Sequence, residues 1–148
     1  MSRKITKTKL KAKILFFDDE KAIAETLQKN VELFNFDVTL VSTISELFEK
    51  INKDDVYDLI IMDCMSPMPS SDEVKQFSSK ELSNMDNGRR VGEILVEKIR
   101  SETKYANVPV LFYSAREYVK SYTKAKHIRK PELAKTIVGE INNLLNLK

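Results

Sequence analysis

The chain has 148 residues, 42% hydrophobic and 32% charged, with 3 Gly, 4 Pro and 1 Cys. These counts exclude collagen-like and low-complexity character and suffice for one domain around one core. A single cysteine excludes an internal disulfide and a thiolate zinc site, and no apolar stretch approaches the roughly 18 residues needed to span a bilayer. The formal net charge of +3 is uneven. Residues 1–11 form a basic tail with Arg3, Lys4, Lys7, Lys9 and Lys11, Lys13 follows, and no acid lies among them. The remainder, 12–148, therefore holds fewer bases than its 22 acids. The tail reads as a solvated end, with contact to nucleic acid or an acidic partner as the alternative.

Strand and helix signals alternate from there. Lys13 to Phe17 is a short apolar run ending in acids, the pattern of a fully buried strand. Ile23, Leu27, Val31 and Phe34 repeat at helical spacing over 20–35, and Asp37 to Val41 is strand-like. Thr43 with Glu46 forms a capping box for a helix burying Ile44, Leu47, Phe48 and Ile51. Tyr57 to Met62 is a third strand, residues 92–101 a helix with Ile94, Leu95 and Ile99 inward, and Val108 to Tyr113 a fourth strand. A short helix around 116–124 and a strand near 125–129 follow. Pro131 is expected in the first turn of a last helix burying Leu133, Ile137, Ile141, Leu144 and Leu145.

The sum is an α/β chain, a (βα)5 doubly wound parallel sheet of five strands, with ligands expected beyond the carboxyl ends of the strands. One segment does not fit. Residues 66–91 separate the third strand from its helix, far beyond the usual connection of about 2–6 residues. This insertion is expected to hold a short helix capped by Ser71, with Val74, Phe77, Leu82 and Met85 on one side and Asn87-Gly88 ending it.

The chemistry gathers at strand ends. Asp18, Asp19 and Glu20 close the first strand, Asp63 the third and Ser114 the fourth, while Lys130 follows the fifth. Alone, Asp18-Asp19 would read as a helix cap, Ser114 as another and Lys130 as a surface charge. Together they place at least three carboxylates in one pocket, where mutual repulsion raises a pKa unless a cation neutralises it. All-oxygen ligands suit Mg²⁺. With a hydroxyl and an ammonium alongside, the pocket fits a phosphoryl group carried on a carboxylate. Cys64 reads as a small buried hydrophobe. Met65, Met68 and Met85 are loop fillers or an adaptable contact surface, and 116–130 is strongly basic. There is no Gly-rich phosphate loop, and a lone His127 cannot credibly serve a Ser–His–Asp arrangement.

The segments Ile14–Glu20, Tyr57–Asp63, Val108–Ala115 and Lys130-Pro131 resemble those of response-regulator receiver domains of two-component signalling, over roughly residues 12–147. The resemblance implies the strand order 2-1-3-4-5. It implies Asp63 as phosphoacceptor, served by a histidine kinase, a histidine phosphotransfer protein or a small phosphodonor. It implies Mg²⁺ held by Asp18, Asp19, Asp63 and the backbone carbonyl of Met65. Ser114 and Lys130 would hold the acyl phosphate, Ala115 would keep access open, and Ser114 would reshape the face of the fourth helix, fifth strand and fifth helix. That face would meet a downstream partner, whose identity is unknown, or a second copy in a dimer.

Four departures stand out. The insertion falls between Asp63 and the family's glycine, matched to Gly92; the stretch from Ser114 to Lys130 is short, so the fourth helix is truncated or loose. His127 stands where the family has Tyr or Phe, an altered switch position that is either a pH-sensitive element or a plain exposed imidazole. The chain stops after the fifth helix, so a stand-alone cytoplasmic receiver without a DNA-binding domain, a membrane segment or enzymatic turnover of its own is expected. Two rivals remain: a receiver-like interaction module that does not use phosphorylation, and an aspartate-nucleophile phosphohydrolase, which Met65 disfavours because a second acid is usual there.

Overall fold

The computed structural model describes residues 11–53, 55–117 and 119–146, so the basic tail lies outside the described residues except for Lys11. Five strands, β1 (Ala12–Phe17), β2 (Phe36–Val41), β3 (Leu59–Met62), β4 (Val110–Ser114) and β5 (Ala125–Arg129), form one sheet in the order β2-β1-β3-β4-β5. Every pairing is parallel. Among the described residues five α-helices accompany it: α1 (Lys21–Glu32), α2 (Ile44–Ile51), α3 (Ser79–Asn84), α4 (Val91–Arg100) and α5 (Ala134–Leu145).

The continuous apolar runs are explained by burial on both sides. Ile14, Phe16, Leu59, Ile61, Leu111 and Tyr113 pack with α1 and α5. Their neighbours Leu15, Phe17, Ile60, Met62, Val110 and Phe112 pack with α2 and α4. Alternate residues of a strand point to opposite faces, so a strand covered twice is apolar throughout. Each large apolar side chain fully buried this way contributes about 1.5–3 kcal/mol. The capping box of α2 is present, and its four expected residues are buried.

Helix α1 turns a different face inward than its spacing suggested. Ala24 and Val31 are buried and Leu27 packs against them, whereas Ile23 is 70% exposed and Phe34 faces solvent. Ile23 lies one residue, about 100°, off the buried line, and Phe34 falls past the helix end at Glu32. Pro131 precedes α5 rather than opening it, because the backbone at Leu133 is extended (φ −70, ψ 145) and the first turn starts at Ala134. Leu133 is accordingly 72% exposed, Ile137, Val138 and Ile141 are buried, and Leu144 and Leu145 are partly so.

The long β3–α4 connection is ordered by its own anchors. A 3-10 turn, Glu73–Gln76, precedes α3, and Val91 already belongs to α4. The cap of α3 is Ser78, not Ser71: Ser78 Oγ accepts from the Glu81 amide at 3.1 Å, and the Glu81 carboxylate accepts from the Ser78 amide at 2.7 Å. Phe77 packs on Phe48, and Met85 is buried completely. Asn87 (φ 51) and Gly88 (φ 97) end the segment as expected. The Glu73 carboxylate accepts from the Ser45 amide at 2.7 Å and its hydroxyl at 2.8 Å, fastening the segment to the start of α2.

The short helix expected around 116–124 is not formed: the described residues between β4 and β5 are irregular chain. Its polar groups find partners on α4 instead.

Candidate functional site

Strand register brings the candidate residues to one edge. Phe17 pairs with Met62, Met62 with Phe112 and Ser114 with Arg129, so the residues ending or following these strands emerge side by side. The chain continues the pairing for one residue beyond the strands. The Asp18 amide donates to the Val41 carbonyl and the Asp63 amide to the Phe17 carbonyl, both at 3.1 Å. The Lys130 amide donates to the Ser114 carbonyl at 2.9 Å.

The carboxylates of Asp18, Asp19 and Asp63 each offer an oxygen within 4.8 Å of the others. Asp18 and Asp63 are buried, and Asp19 is the most accessible of the three. Lys130 Nζ sits between the buried pair, donating to Asp18 Oδ2 at 2.6 Å and to Asp63 Oδ2 at 3.1 Å. The second oxygens are also held. Asp18 Oδ1 accepts from the Glu20 amide at 2.9 Å, and Asp63 Oδ1 from the Met65 amide at 3.1 Å. A cavity of about 400 Å³ opens over Asp63, lined among others by Asp19, Met65, Arg89, Ala115 and Lys130.

Burial pushes the Asp63 carboxyl up from 3.8 to about 6; the Lys130 charge opposes this and the Asp18 charge adds to it. Asp19 is raised as well, by burial and then by Asp18. Burial lowers Lys130, but its bonds and charges with Asp18 and Asp63 outweigh that and leave it above its ordinary value. One ammonium thus leaves negative charge uncompensated. The donor set is all oxygen, which fits a hard divalent cation of the Mg²⁺ kind, with Asp18, Asp19, Asp63 and the Met65 carbonyl as its candidate ligands.

Ser114 reaches the same edge but is fully buried, its Oγ accepting from the Arg116 amide at 3.4 Å. His127 does not join the group. It lies on β5 opposite Phe112, half buried, in a separate cavity of about 230 Å³ with Val119 and Tyr122. Burial lowers its pKa, and Nε2 has no partner. Cys64 is buried, with its thiol pushed up to about 12 by desolvation and then by Glu93. Gly92 has a steric reason: a Cβ there would collide with the Asp63 carbonyl and lie 2.7 Å from Cys64 Cα, so only glycine lets α4 pack against the Asp63 loop. Sequence reading missed Glu93, which is 1% exposed, because an acid in an amphipathic helix reads as solvent-facing. It missed Glu73 too, although Ser70 three positions earlier is a capping signal.

The sequence matches no protein-family model and no curated protein. Solved structures do match over nearly the whole chain. The non-phosphorylated HemR receiver domain from Leptospira biflexa is 22% identical, with a TM-score of 0.65 over 93% of this chain and 97% of that one. The chemotaxis response regulator CheY4 of Vibrio cholerae is 16% identical, with a TM-score of 0.67 over 91% and 99%. A sensor protein from Polaromonas sp. JS666 is 15% identical, with a TM-score of 0.69 over 93% and 98%. The chain has the flavodoxin-like fold of response-regulator receiver domains, all-parallel with strand order 2-1-3-4-5. Among the described residues no helix is long and apolar enough to cross a membrane.

Proposed function

We propose that this chain is a response-regulator receiver accepting a phosphoryl group on Asp63, and the observation that carries this is Lys130 Nζ held between Asp18 and Asp63. A carboxylate oxygen of Asp63 attacks phosphorus of a phosphohistidine or of a small acyl phosphate. A P–O bond forms to Asp63, the bond to the donor nitrogen or oxygen breaks, and the donor leaves with that electron pair. Lys130 moves its hydrogen bonds from the carboxylates to the incoming phosphoryl oxygens, where its charge counts most. Bound Mg²⁺ would supply the remaining charge neutralisation at Asp18, Asp19, Asp63 and the Met65 carbonyl. Ser114 turns its hydroxyl from the Arg116 amide toward the loaded group, which couples loading to the β4–β5 connection.

The donor is a histidine kinase or a histidine phosphotransfer protein. An apolar groove of about 300 Å³ between α1 and the end of β4 with the Lys130-Pro131 turn, lined by Ala24, Leu27, Tyr113 and Pro131 with Ile23 exposed at its edge, reaches Lys130 and gives such a protein a place to rest. The loaded protein signals by binding a downstream partner or a second copy through the β5–α5 face. It acts as a signalling domain and not as a turnover enzyme. A reducing, cytoplasmic setting suits its one buried free cysteine.

The second reading, an interaction module that does not use phosphorylation, draws on Asn87, Gly88 and Arg89, which bring the long connection to the cavity wall. Titration with Mg²⁺ and then beryllofluoride separates the two. Saturable binding that is lost in Asp63→Asn supports the receiver; no binding up to tens of millimolar supports the module.

A further inference from the structure

The connection between β4 and β5 carries Ser114, Ala115 and Arg116 past the cavity, yet its described residues form no helix. A connection without the regular ladder of a helix needs other partners for its polar groups. Glu93 supplies them. Its Oε1 accepts from Arg116 Nη1 at 2.5 Å and from Arg90 Nε at 3.2 Å, and its Oε2 accepts from the Lys120 amide at 3.0 Å. Arg116 Nη1 also donates to the Arg89 carbonyl at 3.2 Å. One buried carboxylate therefore ties three pieces of chain: the start of α4, the Arg89–Arg90 end of the long connection, and the segment after Ser114. The next residue back, Gly92, sits against the Asp63 carbonyl, so the distance from Glu93 to Asp63 is fixed by packing.

We infer that Glu93 is a positioning residue for phosphoryl transfer, holding Ser114 and Ala115 against Asp63 through the Arg116 guanidinium; this rests on the receiver reading above. A buried carboxylate is costly unless fully hydrogen-bonded, and here its Arg90 and Arg116 partners each adjoin a residue that walls the cavity, Arg89 and Ala115. The role is separable from metal binding. The Asp18 and Asp63 carboxylates take their hydrogen bonds from the Glu20 and Met65 amides and from Lys130, and Glu93 makes none of these.

The test labels full-length protein with acetyl phosphate and Mg²⁺ in wild type, Glu93→Gln, Arg116→Gln and the double variant, with Mg²⁺ affinity measured in parallel. Glu93→Gln lowers the labelling rate of Asp63 about tenfold or more, the scale of a lost charge-assisted hydrogen bond, and leaves Mg²⁺ affinity unchanged. Arg116→Gln does the same, and the double variant is no worse than the more damaged single one, because the two act as one unit. Labelling of Glu93→Gln at the wild-type rate, additive losses, or a parallel loss of Mg²⁺ affinity overturns the role. If Glu93→Gln does not fold, Arg116→Gln carries the same comparison. A wild type that takes no label overturns the receiver reading, and this role with it; a labelled wild type with an unaffected Glu93→Gln overturns this role alone.

Discussion

Lys130 Nζ lies 3.1 Å from Asp63 Oδ2 across 67 residues of sequence, at a sheet edge where both side chains are largely buried. The same nitrogen holds Asp18 at 2.6 Å, so one cation serves two buried acids. Replacing Lys130 with Met keeps the length and removes the charge. Stability at neutral pH is expected to fall by about 3–5 kcal/mol, the usual cost of leaving a buried charge without its partner. Millimolar Mg²⁺ should raise the melting temperature of Lys130→Met more than that of wild type, since the cation then meets the larger unbalanced charge. No shift in either protein would argue against a divalent site.

The Asp63 carboxyl gives a pH signature. Its folded value of about 6 stands above the ordinary 3.8, so the folded protein binds more protons than the unfolded chain between those values. The Asp63 contribution to metal-free stability therefore falls as pH rises from about 4 to about 6. The displacement corresponds to about 3 kcal/mol, so Asp63→Asn is expected to be more stable than wild type at pH 7 by up to that amount and nearly equal to it at pH 4. Thermal melts across that range read the difference directly. Mg²⁺ affinity should weaken below about pH 6, because the ligand must be ionised to bind.

Two glycines in helices predict opposite outcomes. Gly92→Ala puts a methyl group into the Asp63 carbonyl, and a loss of at least about 2 kcal/mol is expected. Gly139→Ala in α5 meets nothing within 4 Å and should gain up to about 1 kcal/mol from helix propensity. Denaturant unfolding of both variants checks the pair.

Glu73 is the latch of the long connection. Burial raises its pKa, but its bonds from Ser70 and Ser45 outweigh that and leave it below the ordinary value. Its stabilisation is therefore present above the unfolded pKa and lost as pH falls through the lower folded one. Glu73→Ala leaves the Ser45 and Ser70 amides without their acceptor, at about 1–3 kcal/mol. Limited proteolysis should then cut within 66–90 well before the sheet unfolds.

The strands, their order and the acid–lysine group were legible because buried parallel strands leave continuous apolar runs, and their ends mark one edge wherever the register falls. The capping box of α2 was legible because its two residues satisfy each other locally. The rest depended on partners distant in sequence. Nothing within 114–124 reveals that Glu93 and Glu97 of another helix bond Arg116, the Lys120 amide and the Tyr122 hydroxyl, so the spacing there suggests a helix that the chain does not form. Ser78 took the cap from Ser71 because Glu81 completes its box. Ile23 looked inward because spacing fixes a helical face only to within a residue, and the sheet decides which residue lies on the buried line.

Incubation with acetyl phosphate and Mg²⁺ followed by intact-mass measurement weighs the receiver reading most directly. Wild type should gain the mass of a single hydroxylamine-labile phosphoryl group, Asp63→Asn should gain none, and chelating the metal should abolish the gain. A wild type that stays unmodified, or an Asp63→Asn variant that is labelled equally, would contradict the assignment of Asp63 as the acceptor.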